Sequence, residues 1–381
     1  MNLYAYAFML GSQFVSLSYA IIGFGILIVA HEFGHFFFCK LFGIHTPSFS
    51  IGMGPVLFKK KIGRTEFCLS AIPIGGYLEI AGSEEVGQGN QKHAKSRDKD
   101  SFAVKPFWQK AFVLLGGILF NLFFAYFTFS TLFFVGMPVP KKLAVEVKSV
   151  SSETDSLNGR FKSGDKVISI NEVELSETPD KLYPALRKIS EDLQENQYED
   201  LGVKVLRDDD TLQLRIPITE SNTILQKGLI GGSYLDVKTI ETSYESYPLF
   251  QAIGKGIKKT HDWIGMTLSG LKTLVTKRNI KDFGGPILIV SQSFKMAQQG
   301  IQFLLIFLAI ISINLAIVNL LPIGALDGGQ LLFETIEFVT RRKIPEKVRL
   351  GINLVSWVLL IGLILFISFQ DLVWLLSGYF S

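Results

Sequence analysis

The chain has 381 residues, of which 48% are hydrophobic and only 19% charged, and 32 are Phe. That balance excludes an ordinary soluble globule and fits a membrane protein with one soluble module. A net charge of +4 gives no argument for a nucleic-acid partner, and two cysteines, Cys39 and Cys68, exclude a disulfide framework.

The first apolar run, about Phe14 to Cys39, is long enough to cross a bilayer. No Lys or Arg precedes Lys40 and no small-residue cleavage pattern follows, so this span is expected to stay in the mature protein. Inside it lies His31-Glu32-Phe33-Gly34-His35. Residues four apart share a helix face, so His31 and His35 can offer two imidazole nitrogens to one metal ion. Glu32 lies within a turn of both, placed to take a proton from water. Ionisable groups in a spanning helix are costly and mark function. Cys39 follows the motif and reads as either a further ligand or a small apolar filler.

The next stretch, Phe49 to Gly82, alternates apolar and polar residues and is rich in glycine. Val56-Leu57-Phe58 and Thr65 to Leu69 read as a hairpin turning at Ile62-Gly63. Ile72 to Leu78 is too apolar for a free loop, which predicts a sheet dipping into the membrane; an ordinary hairpin is the alternative. Ser83 to Asp100 reads as a polar linker.

Three more spans follow, about Phe112 to Val135, Phe303 to Leu321 and Ile352 to Leu376. Lys and Arg cluster after span one and again from Arg341 to Arg349, which predicts that both loops are cytoplasmic and both termini outside. From Lys141 the composition turns soluble. Strands are expected at Val145 to Val150, Lys166 to Ile170, Val203 to Arg207 and Thr211 to Ile216, with a helix at Asp180 to Glu195. Tyr247 to Thr276 reads as an amphipathic helix suited to the outer interface.

A catalytic zinc site needs a third protein ligand. Asp327 closes span three at the depth of the His pair, where Pro322, Gly324, Gly328 and Gly329 are expected to break helical regularity and let the backbone bring it inward; a helix-terminating turn with a solvated Asp is the alternative. Asn121 and Asn314 are polar residues inside spans that could hydrogen-bond across helices.

These residues resemble the site-2 protease family of intramembrane zinc metalloproteases, and the likeness covers nearly the whole chain. His31, Glu32 and His35 match the HExxH of its first core helix, Gly117 to Asn121 its GxxxN pattern, and Asn319 to Gly328 its second signature. Phe283 to Ile287 resembles its G-P-I loop and Lys162 to Asn171 the core of a PDZ module. The resemblance implies zinc held by His31, His35 and Asp327, water activated by Glu32, and substrate positioned by Asn121 and Asn319. It implies intramembrane proteolysis of single-span membrane proteins, such as anti-sigma factors or remnant signal peptides, by a monomer in the bacterial inner membrane. Two features depart from the pattern: Gly324 replaces the usual second proline, and there is room for only one PDZ module. A membrane metal transporter and a non-catalytic scaffold that binds membrane proteins are the competing readings. The absence of internal repeats argues against the first, and the full ligand set with Glu32 against the second.

The expected fold is a polytopic α-helical membrane protein of four transmembrane helices, with a membrane-reentrant β-region and one extracytoplasmic PDZ-like α+β domain. Its parts run 1–45 (first span), 46–82 (reentrant region), 83–106 (cytoplasmic linker), 107–138 (second span) and 139–221 (PDZ-like domain). They continue 222–300 (interfacial helices and G-P-I loop), 301–330 (third span), 331–349 (cytoplasmic loop) and 350–381 (fourth span).

Overall fold

The computed structural model describes residues 3–83, 91–147, 161–195, 200–217, 235–277 and 285–377. They form two compact units, one from residues 1–135 with 246–376 and one centred on 136–245.

The first unit is mostly helical. Its helices are α1 (Leu3–Leu41), α2 (Phe107–Val135), α4 (Leu249–Lys277), α5 (Pro286–Gln299), α6 (Ile301–Asn319), α7 (Asp327–Thr340) and α8 (Glu346–Ser377). Four stretches are long and apolar enough to cross a membrane: Val15–Leu41, Phe107–Val135, Ile301–Asn319 and Glu346–Val373. They fall where the hydropathy places them, and the second and fourth begin about a turn earlier.

Between α1 and α2 the chain forms the hairpin β1 (Ser48–Ile62) and β2 (Thr65–Glu79). Its tip pairs Ile62 with Thr65, so the turn falls at Gly63-Arg64, one residue beyond the expected position. Nearer its base Phe49 stands opposite both Phe67 and Leu78, and the ladder is broken by register shifts. Gly52, Gly54 and Gly75 take positive φ in this curl, a conformation that other residues adopt only with strain.

Three expectations are corrected within this unit. The stretch read as a linker is fastened over its second half: His45 N–H donates to Asp100 C=O, Phe102 N–H to Ala81 C=O, and Arg64 pairs with Asp100. Residues 84–90 lie outside the described residues. The stretch read as the loop 331–349 is helical through Thr340, and Gly329 and Phe333, four residues apart, are both buried on one face. Lastly, Gly328 and Gly329, read as breaking the helix, lie inside its first turn. A Cβ on either would collide with the carbonyls of Leu320 or Ile323.

Among the described residues the second unit is an antiparallel sheet with one helix. Its elements are β3 (Met137–Val147), β4 (Lys166–Ile170), β5 (Val173–Glu174), α3 (Pro179–Glu195), β6 (Asp200–Arg207), β7 (Asp210–Pro217) and β8 (Leu235–Glu245). The order is β7-β6-β4-β3-β8, with β5 on β4. Leu182, Leu186 and Ile189 of α3 pack against Val145, Val167, Ile170, Val203 and Val205. Three of the four expected strands and the helix match within a few residues; Val145 to Val150 is described only to Val147.

The strand β8 falls in the stretch 222–300 that was read as interfacial helices, and it completes this sheet beside β3. Leu235 and Val237 alternate inward, but beyond them Thr239, Glu241 and Ser243 are polar, so the pattern is too short to read alone. β3 carries Pro138 and Pro140, which lack an N–H, on the part of the strand that β8 alone covers.

Candidate metal centre

The site forms where α1, α2 and α7 converge within the first unit. His31 and His35, one helical turn apart on α1, set their rings edge to face with centroids 4.8 Å apart. Their Nε2 atoms are 3.3 Å apart. Asp327, the first residue of α7, brings Oδ2 to 3.4 Å from His31 Nε2 and 3.5 Å from His35 Nε2. Among the described residues this is the one group of three such side chains able to share an ion.

The ring tautomers follow from the partners behind them. His35 Nδ1 lies 2.7 Å from the carbonyl of Val113 on α2. A carbonyl only accepts, so Nδ1 carries the proton and Nε2 turns a lone pair toward Asp327. His31 Nδ1 lies 3.1 Å from the side-chain amide of Asn121, whose unpartnered Oδ1, turned toward the ring, accepts the Nδ1 proton in the same way. Three acceptors therefore face one another, and Asp327 Oδ2 is buried without a hydrogen-bond partner. An orphaned carboxylate oxygen against two lone pairs is unfavourable unless a cation lies between them.

The spacing fits such a cation. A tetrahedral zinc ion about 2.0–2.1 Å from each nitrogen or oxygen donor holds those donors about 3.3–3.4 Å apart. The three observed separations run from 3.3 to 3.5 Å.

Close backbone approach makes this convergence possible. A Cβ on Gly34 would lie 2.1 Å from the carbonyl oxygen of Gly116, and one on Gly116 would lie 2.5 Å from that of Gly34. The helices thus cross through two glycines, as small residues allow in membranes. A Cβ on Gly117 would sit 2.4–2.6 Å from atoms of both imidazoles. The doublet Gly116-Gly117 inside an apolar span was the available sequence signal. The carbonyl of Val113 left none.

Glu32 is half-buried, and a Cβ on Gly76 of β2 would lie 3.7 Å from its Cγ. The hairpin thus runs beside this carboxylate. Asn121 is fully buried, with Nδ2 3.1 Å from His31 Nδ1 and Oδ1 unpartnered, while its carbonyl accepts from Ser312 Oγ at 2.9 Å. A half-turn of its amide would present Oδ1 to the imidazole N–H. Asn319 closes α6 and is nearly buried, but among the described residues no hydrogen bond joins it to the cluster. Asn314 accepts from Thr267 Oγ1 of α4 at 2.8 Å, the cross-helix bond expected of it. Cys39 is buried in the cluster of Ile44, Phe49 and Leu78, and the expected filler role is the one it takes.

Two histidines and an aspartate close enough to share one ion, with a glutamate next to the first histidine, are the donor set that a metallopeptidase uses. Comparison with known proteins makes this specific. The model of peptidase family M50 matches residues 19–363, and the chain belongs to that family. It is 32% identical over 360 residues to a protein of Clostridium perfringens named as a candidate zinc metalloprotease, covering 93% of this chain and 98% of that one. It is 31% identical over 359 residues to the membrane metalloprotease ARASP, chloroplastic, of Arabidopsis thaliana, covering 91% and 76%. A candidate zinc metalloprotease of Nostoc is 30% identical over 364 residues, covering 94% and 96%.

Proposed function

We propose that this M50 peptidase is a zinc endopeptidase that hydrolyses peptide bonds within or beside the transmembrane segments of single-span membrane proteins. The observation that carries the reading is the convergence of His31 Nε2, His35 Nε2 and Asp327 Oδ2 at mutual distances of 3.3 to 3.5 Å on membrane-length helices. In this reading those three atoms hold the zinc, His35 is fixed by the Val113 carbonyl behind it, and His31 by the Asn121 amide. Zinc supplies Lewis acidity, polarising a carbonyl and lowering the pKa of water.

Glu32 takes the proton from the attacking water and returns it to the departing amide nitrogen. Its neighbour Gly76 has no side chain to block the approach. A helical substrate hides its peptide bonds in its own hydrogen bonds, so it must unwind locally. Extended backbone beside Glu32 is the setting in which the unwound segment would pair. Asn121 and Asn319 then position substrate polar groups.

The exposed apolar side chains of Met53, Val56, Leu57, Phe58 and Ile62 support a hairpin that dips into the membrane. The Lys and Arg pattern supports both termini and the PDZ-like sheet unit on the periplasmic side, and the Clostridium and Nostoc relatives support a bacterial inner membrane.

The test compares wild type with Glu32→Gln, purified in detergent, on a single-span model substrate. Glu32→Gln should keep wild-type zinc content and lose about 10²–10⁴-fold in cleavage rate. Cleavage retained by Glu32→Gln would sink the assignment.

A further inference from the structure

Glu334 lies on α7 seven residues beyond Asp327 and is only 6% exposed. Its carboxylate accepts from Lys110 Nζ of α2 at 2.9 Å and from Arg349 Nη1 of α8 at 3.2 Å. Arg349 also donates through Nη2 to Gln330 Oε1 at 2.8 Å, and Gln330 Nε2 donates to the carbonyl of Gly324 at 2.6 Å and to Asn353 Oδ1 at 3.2 Å. Asp327, Gln330 and Glu334 are spaced three and four apart, so they form one stripe on α7.

The facing helix carries a matching stripe. Lys110, Val113 and Gly117 of α2 have the same spacing. Val113 anchors His35 and Gly117 backs both imidazoles. The two helices run antiparallel, and Phe107 stacks on Phe338 one turn below the ion pair, with centroids 4.5 Å apart. From Lys110 to Gly117, and from Glu334 to Asp327, the rise is the same, about 10 Å for seven residues. The Lys110–Glu334 rung therefore sets which residue of α2 stands level with Asp327.

A buried ion pair is weak evidence for stability, because desolvation offsets the attraction and apolar replacements of similar volume are often tolerated. Its better-attested use is to fix register. We infer that Lys110 and Glu334, with Gln330 and Arg349, are positioning residues that fix the register of α7 on α2 and so deliver Asp327 to the two imidazoles. This rests on the reading of Asp327 as a zinc ligand.

The test uses the full-length protein in detergent, stripped of metal and titrated with zinc against a chromogenic chelator, with cobalt as a spectroscopic probe of ligand geometry. The double variant Lys110→Met with Glu334→Leu removes both charges at similar volume. It should unfold within a few degrees of wild type, yet bind zinc about 10–100-fold more weakly, with an altered cobalt spectrum. Wild-type zinc affinity and an unchanged cobalt spectrum in a folded double variant would overturn the inference. Should the double variant fail to fold, Glu334→Asp is read in its place. It keeps the charge and shortens the reach, so weakened zinc binding supports the inference and wild-type binding overturns it. Asp327→Asn separates the two levels. Unchanged affinity in Asp327→Asn defeats the ligand reading itself. Lost affinity there, with wild-type affinity in the double variant, defeats only the register inference.

Discussion

Asp165 in the sheet unit and Asp327 in the helical unit each bury a carboxylate oxygen, and the two are treated in opposite ways. Asp165, in the turn before β4, is 3% exposed and fully satisfied. Arg207 Nε donates to its Oδ1 at 2.7 Å, Arg207 Nη2 to its Oδ2 at 2.6 Å, and Lys162 N–H to Oδ2 at 2.8 Å. Asp327 has an unpartnered oxygen facing two imidazole lone pairs. Burying a carboxylate is expensive in both places. In the sheet unit the bidentate guanidinium offsets that cost within the fold. In the helical unit the offset is left to a ligand. A satisfied buried charge thus holds structure, and an unsatisfied one marks the chemistry.

The contrast is broken most directly at Asp327 itself. Asp327→Asn keeps the shape and removes the charge, so zinc content in purified protein should fall to near background and cleavage with it, by about 10³-fold or more. Full zinc occupancy in Asp327→Asn would mean that the two aspartates do not differ as argued. Gly117→Ala is the next largest effect. Its Cβ would meet His31 Cε1 at 2.4 Å and His35 Nε2 at 2.5 Å, so the rings must move. We expect about 10–100-fold weaker zinc binding, read by chelator competition, with the spans still inserted.

The metal centre was unevenly legible in the sequence. The four-residue spacing of His31 and His35 is a local fact of one helix, and it reads directly. Asp327 could be proposed only because the His pair calls for a third ligand at its depth; a carboxylate at a helix end is by itself common. Val113, Lys110 and Glu334 could not be found this way. The bond from His35 to Val113 joins residues 78 apart, and that from Lys110 to Glu334 joins residues 224 apart. Pairing over such separations is decided by tertiary packing, of which a chain pattern carries no trace. The helix α7 was missed for a related reason: Gly328 and Gly329 look like breakers until the carbonyls of Leu320 and Ile323 are seen against them.

On the structural side of the comparison, Asp165→Asn should destabilise the sheet unit by about 3 kcal/mol, because it leaves the Arg207 guanidinium without its charge partner. The effect is read by hydrogen exchange at the amides of β4 and β6 in the intact protein. The same pair gives a pH dependence. Hydrogen bonds from Arg207 hold the Asp165 carboxyl below its ordinary value. A group depressed in the folded state contributes its stability above the unfolded pKa, about 3.9 for Asp, and loses it as pH falls through the lower folded value. Wild-type protection of β4 should therefore decline below about pH 4, and Asp165→Asn should be flatter over that window. Equal acid sensitivity in both would show that another carboxylate governs the unit.

The smallest effect is expected at Asp371, which lies within α8 and is 3% exposed. Its Oδ1 accepts from Gly285 N–H at 3.0 Å and its Oδ2 from Leu288 N–H at 3.1 Å. Gly285 is the N-cap of α5 and Pro286 its first residue, so the cap side chain that the local sequence lacks is supplied from a distant helix. Both oxygens are satisfied, which places Asp371 with Asp165 rather than with Asp327. Asp371→Ala should therefore leave zinc binding unchanged and cost about 1 kcal/mol of local stability, seen as roughly fivefold faster exchange at Gly285 and Leu288. Loss of zinc on Asp371→Ala would join α5 to the metal centre and contradict the division between satisfied and unsatisfied carboxylates.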